Sequence, residues 1–225
     1  YAGVPGIAER VVGLDVRDAS GPVPLSVEDD EPAPGGFPYF RHWKARRSVT
    51  PPVSITYRSL VQPPDAPNGP PFRIRPAGGG VSGAGSGFLV IPKIDGSARA
   101  VVRWALDDLA PGSIGVTSRG EGDVTLRGTL NDLTQLWYLA GPAGRYPDGD
   151  GSGGFHAAWL GAVPFDAARA MAWSAEMYAW LGRFFSHLDP VPEYRGFIRV
   201  LEPPPRGGGT ALANSFMLWG RPGEP

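Results

Sequence analysis

The chain has 225 residues, with 21 Lys and Arg against 22 Asp and Glu. That balance, with arginines scattered rather than gathered in a stripe, argues against a nucleic-acid partner. The absence of cysteine excludes disulfides and thiol catalysis, and no apolar run reaches the roughly 20 residues a membrane-spanning helix needs. The 33 Gly and 26 Pro are offset by 7 Trp, 7 Tyr and 10 Phe, a composition that points to a folded, loop-rich chain of short strands rather than to disorder.

The first periodic segment, residues 10–17, sets Val12, Leu14 and Val16 on one side against Gly13, Asp15 and Arg17, which predicts a half-buried strand. Asp18 to Gly21 reads as a turn, and residues 28–38, acidic and rich in Pro and Gly, read as a surface loop. Val53 to Tyr57 alternates and is rich in β-branched residues, so a second strand is expected there. A proline-rich loop over 62–71 leads into the alternating Phe72 to Arg75.

Residues 77–87 hold six glycines. They contain a formal G-x-G-x-x-G at Gly78, Gly80 and Gly83, but the following Phe88 to Ile91 reads as a strand, whereas a dinucleotide fingerprint opens a helix. A flexible hairpin or loop is the reading that context favours. Alternation over 99–106 and 124–130 predicts two more strands.

From Pro164 to Leu188 the pattern changes. Phe165, Ala168, Ala172, Ala175, Ala179, Gly182 and Phe185 recur at helical spacing, Asp166 stands in the first turn, and Pro190 and Pro192 end the run. A strand over 194–202 and a second over 214–219 are expected to follow. The fold class is therefore mainly β with some helix (α+β). It comprises an N-terminal β-sandwich or saddle over 1–163, then one long helix and a terminal β-hairpin over 164–225.

Catalytic and metal signals are weak. His42, His156 and His187 lie far apart in sequence, and no H-E-x-x-H or G-x-S-x-G is present. No catalytic residue and no metal ligand is assigned in this chain. Among the aromatic residues, Trp43 is the best exposed candidate for a glycan platform, and a free-standing β-sandwich that binds glycan or protein is the alternative reading.

The run from Tyr194 to Ser215 joins a strand, three prolines, the glycines Gly207, Gly208 and Gly209, and the segment Thr210-Ala211-Leu212. Glycines let another backbone approach closely, and a strand bearing them can pair with an extended peptide. This layout resembles the glycyl aminopeptidase family, PDZ-carrying gluzincins related to aminopeptidase N and leukotriene A4 hydrolase. In that clan a β-saddle precedes a thermolysin-like domain, which opens with a helix, a strand and a Gly-Gly motif ahead of the zinc helix. Gly208, Gly209 and Ser215 fall on that motif, while Ala211 and Leu212 stand where the family carries Glu and His; Ala211 has no charge with which to hold a substrate amino group. Residues 41–46 with 53–57, and 137–142, resemble saddle segments of the family.

The resemblance implies the noncatalytic N-terminal region of a zinc metallopeptidase, ending before the metal motif. Gly207, Gly208, Gly209, Thr210 and Ala211 would then be substrate-binding residues on an edge strand, and the partners a peptide substrate and the molecule's own catalytic domain. No cofactor is expected in this chain, zinc belonging to the catalytic part, and the setting would be periplasmic or secreted. Apolar side chains such as Phe184, Phe185 and Trp219 would be left uncovered, favouring self-association or packing back onto the saddle.

Overall fold

A computed structural model describes residues 6–32, 40–63, 73–148, 154–186, 192–201 and 207–220. The chain divides into two compact units, Tyr1–Val61 and Gln62–Pro225.

In the first unit, β1 (Val11–Asp18) lies between β2 (Gly21–Pro22) and a later strand, β5 (Ser54–Ser59), while β3 (Leu25–Asp29) pairs antiparallel with β4 (Arg41–Ala45). The alternation predicted for β1 is present: Val12, Leu14 and Val16 are half-buried and Gly13, Asp15 and Arg17 exposed. The β1–β5 ladder shifts register between Val12 and Asp15, where Gly13 takes φ +64° and bends the strand. The expected loop over 28–38 begins later than the composition suggests. Glu28 and Asp29 close β3, because cations on β4 face them: Arg41 grips Asp29 through two bonds of 2.7 and 2.8 Å, and Lys44 reaches Glu28. Residues 33–39 lie outside the described part.

The second unit begins with β6 (Arg75–Ala77), β7 (Gly80–Ala84), β8 (Ala98–Val102), β9 (Ile114–Thr117), β10 (Gly120–Glu121) and β11 (Val124–Gly128). It continues through β12 (Trp137–Gly141), β13 (Gly144–Tyr146), β14 (Phe155–Leu160), the helix α1 (Ala167–Ser186), β15 (Tyr194–Val200), β16 (Gly208–Leu212) and β17 (Ser215–Gly220). One five-stranded sheet has the order β10-β9-β12-β7-β6 and the other β13-β14-β15-β17-β16, with β8 and β11 forming a separate ladder.

The two large sheets share a core. Ala77, Ala84, Val116, Trp137 and Leu139 of the first meet Ala158, Leu160, Phe197, Leu201 and Met217 from the second. The second sheet is buried on its other face too, where Phe155, Ala157 and Ile198 pack with Met171 of α1, flanked by Tyr178, Tyr194 and Phe216. The result is sheet on sheet on helix. Burial on both faces explains why β14 and β15, which run parallel, are buried almost throughout instead of at alternate positions. Residue 163, where composition places a domain boundary, falls within this unit: β14 precedes it, β15 follows it, and the two are neighbours in one sheet.

Four local expectations are corrected. The glycine-rich segment is a hairpin but not a flexible one: β6 pairs with β7, an inner strand in which Gly80, Ser82, Gly83 and Ala84 are buried. A Cβ on Gly80 would come within 2.4 Å of the Ala140 carbonyl oxygen, so the glycine is required by close packing of β7 on β12. Phe88 to Ile91 forms no strand, since the chain turns there after a 3₁₀ turn at Gly85–Gly87. The strand read from Phe72 to Arg75 begins only at Arg75, and Phe72 is outside the described residues. The helix begins at Ala167, and Asp166 precedes it as a cap, its carboxylate accepting from the Arg169 N–H at 3.0 Å.

Candidate functional site

The segment Gly208 to Leu212 builds the outer strand of the second sheet, with Gly207 just ahead of it. β17 runs parallel to β15, and a two-residue turn at Ala213 and Asn214 reverses the chain so that β16 pairs antiparallel with β17, from Gly208 opposite Trp219 to Leu212 opposite Ser215. Asn214 sits at φ +53°, in the left-handed region that a short polar side chain tolerates. In the strand order β16 comes last, so among the described residues its far edge carries no ladder. An antiparallel strand paired on one side directs the N–H and C=O of every second residue outward. Those of β16 are available to another extended segment.

Two of the residues fix where this edge stands. Leu212, at the position where the resembled family has His, packs against the core between the sheets, as does Trp219. Ser215, the motif serine, is buried and shares a 2.9 Å hydrogen bond with Ser118, whose hydroxyl oxygen accepts from the Trp137 N–H at 2.8 Å. Both positions are structural. Gly207, Gly208, Gly209 and Ala211 are exposed and Thr210 is half-buried; Gly208 to Ala211 lie on β16 and Gly207 immediately precedes it.

The glycines have a second cause that their spacing did not disclose. A Cβ on Gly208 would stand 2.5 Å from the Trp219 indole, and one on Gly209 2.7 Å from Leu218. Their missing side chains leave room for the neighbouring strand's aromatic and aliphatic groups. Trp219 is accordingly half-buried over Gly208 and not fully exposed as expected. Trp43 is half-buried too, which removes the basis for it as an open glycan platform; the exposed tryptophans are Trp173 and Trp180 on α1. His42 lies on β4 with Nε2 2.8 Å from Asp30, and His187 lies outside the described residues. Among the described residues no three His, Asp or Glu side chains gather as a metal site would require. A zinc ion of the kind the resemblance implies therefore finds no ligand set in them.

Sequence reading missed the polar residues within the buried strands. Arg199 on β15 is only 2 % exposed. Its guanidinium lies 5.3 Å from the Trp137 ring centre and donates to the carbonyls of Ser82 (3.0 Å) and Arg73 (3.3 Å), bridging the two sheets. Burial first, and the charge of Arg75 second, push it down to about 9, which still leaves it charged at neutral pH. On the same strand Arg195, and beside it His156 on β14, are further polar side chains in segments otherwise read as apolar. A cation or imidazole inside such a run is the signal that could have singled them out.

Compared with solved structures, the chain matches part of the crystal structure of the aminopeptidase N family protein from Idiomarina loihiensis. The match covers 97 % of this chain at a TM-score of 0.71 with 13 % identical residues. At that identity the likeness establishes the fold. The chain spans 35 % of the length of that protein. No family model matches the sequence, and no curated protein matches it either. No helix among the described residues is long and apolar enough to cross a membrane.

Proposed function

We propose that this chain is the noncatalytic N-terminal region of a zinc metallopeptidase of the aminopeptidase type. It supports a catalytic domain and lends β16 as an edge strand to the substrate cleft. The observation that carries the reading is the open edge at Gly208–Leu212, on a fold shared with about a third of a larger aminopeptidase N family protein. A peptide laid along β16 would gain backbone hydrogen bonds from the outward-facing Gly209 and Ala211 as one more strand, while the small side chains on the exposed face leave it room. With Ala211 uncharged, the strand would hold the peptide by its backbone and leave its amino terminus to other groups.

The test is direct. A six-residue extended peptide titrated into the ¹⁵N-labelled protein is expected to shift the amide signals of Gly207 to Ala211. The same peptide N-methylated at alternate residues is expected to shift them far less. No peptide hydrolysis is expected with or without added zinc. Release of amino-terminal glycine by the protein would overturn the noncatalytic assignment, and peptide-induced shifts confined to other strands would overturn the edge-strand role.

A further inference from the structure

A polar cleft of about 440 Å³ opens between β9–β10, β13, β14 and β15, away from the β16 edge. Its charged and polar lining is Arg119, Glu121, Arg145, His156, Glu193 and Arg195, over a floor that includes Val116, Ala157 and Ala158. This volume is within the range of small-molecule sites.

Two of the lining groups are left without hydrogen bonds. Arg195 is 8 % exposed, yet among the described residues its guanidinium donates no hydrogen bond, and the nearest acid, Glu193, stands 3.9 Å away with a side chain that is mostly in solvent. His156 pairs with Arg195 in the parallel ladder and thus shares its face of the sheet; its Nε2 is buried without a partner among the described residues. Burial, then the charge of Arg195, holds the imidazole below its ordinary pKa and so neutral. Of the two exposed cations of the lining, Arg119 and Arg145, the latter is engaged by Glu121 and by Asp148 at 3.5 Å.

Arg199 provides the contrast. Four residues further along β15, it is buried more deeply than Arg195, and it donates to two carbonyls and rests over Trp137. A mostly buried cation that finds no hydrogen-bond acceptor among the described residues is held at a cost, and that cost falls when an anion accepts from it. Such an arrangement is expected where a ligand completes the site.

We propose that this cleft binds the carboxylate of a small organic ligand, with Arg195 as its charged donor and the His156 Nε2–H as its neutral one. Glu193, and Glu121 behind Arg145, place negative charge at the cleft wall, which favours a singly charged group over phosphate. The room beyond Arg195 accommodates the ligand's body. The proposal does not depend on the role of β16.

Acetate and inorganic phosphate serve as probes, read by the imidazole ¹⁵N signals of His156 with His42 as internal control. Acetate is expected to shift His156 saturably and leave His42 unchanged, and phosphate is expected to shift it less. Arg195→Met is expected to weaken acetate binding by about tenfold or more, the loss of one charge-assisted hydrogen bond. If that variant fails to fold, Arg195→Lys, which keeps the charge and loses the fork, is expected to bind acetate detectably but more weakly than the parent. The proposal fails if acetate leaves His156 unmoved, if phosphate binds where acetate does not, or if the Met or Lys variant binds acetate as the parent does.

Discussion

Asp18 closes the first strand with a carboxylate whose side chain has 0 % solvent exposure. It accepts from both terminal nitrogens of Arg47, at 2.6 and 2.9 Å, and from the backbone N–H groups of Thr50 and Ser20 at 2.9 and 2.8 Å. The Arg47 hydrogen bonds, and after them the Thr50 N–H, hold its pKa well below the usual carboxylate range. Because the folded value is the lower one, this contribution to stability is complete above the unfolded pKa of about 3.9 and is lost as pH falls further toward the folded value. Asp18→Asn is therefore expected to destabilise the first unit at neutral pH, and its deficit relative to the parent is expected to shrink in acid. Urea titrations of parent and variant at neutral pH and near pH 3 would check this, and a deficit that stays constant with pH would contradict it. The sequence marks Asp18 only as the start of a turn; the arginine 29 positions later that fixes it leaves no local trace.

At the scale of elements, periodicity decides what can be read. β1, β5, β8 and β11 each have one face buried and one open, so their sequences alternate and were legible. α1 was legible because its inner face repeats small and aromatic residues every three or four positions and prolines follow it. β7 was not, because a strand pressed between two neighbours at glycine spacing carries the composition of a loop. The burial of Ser215 and the packing of Leu212 were not legible, since both depend on a sheet distant in sequence. The start of α1 shows how little separates two local readings. Asp166 favours the helix dipole in either place, but only one step before the first turn does it bond the Arg169 N–H. Asp166→Ala is expected to cost about 1 kcal/mol as the cap is lost, with Asp166→Ser largely retaining it. Thermal or urea unfolding of the two variants would separate a capping role from a purely electrostatic one, in which serine would be no better than alanine.

The molecule as a whole leaves one surface incomplete. α1 turns Met171, Ala175 and Tyr178 toward the sheet, while Trp173, Met177, Trp180, Leu181 and Phe184 follow one another at helical spacing along its opposite, exposed side. Trp180 and Phe184 stack with ring centres 5.1 Å apart, and Phe185, 72 % exposed, meets Phe184 edge-on at 4.8 Å. A contiguous aromatic stripe of this kind is unusual on a surface that stays in water. The larger protein whose fold this chain shares extends well beyond the matched portion, and a catalytic domain packed on α1 is the cover that the proposed function supplies. Without it, a second copy of the same stripe is the most complementary apolar surface at hand. The purified protein is accordingly expected to show concentration-dependent sedimentation. Trp180→Glu together with Phe184→Glu is expected to return it to monomer without loss of folded signal, because neither side chain belongs to the core beneath the helix. A protein that sediments as a monomer throughout a wide dilution series, with Trp180 fluorescence reporting full solvation, would show that the stripe needs no partner, and would remove the helix from the proposed interface with a catalytic domain.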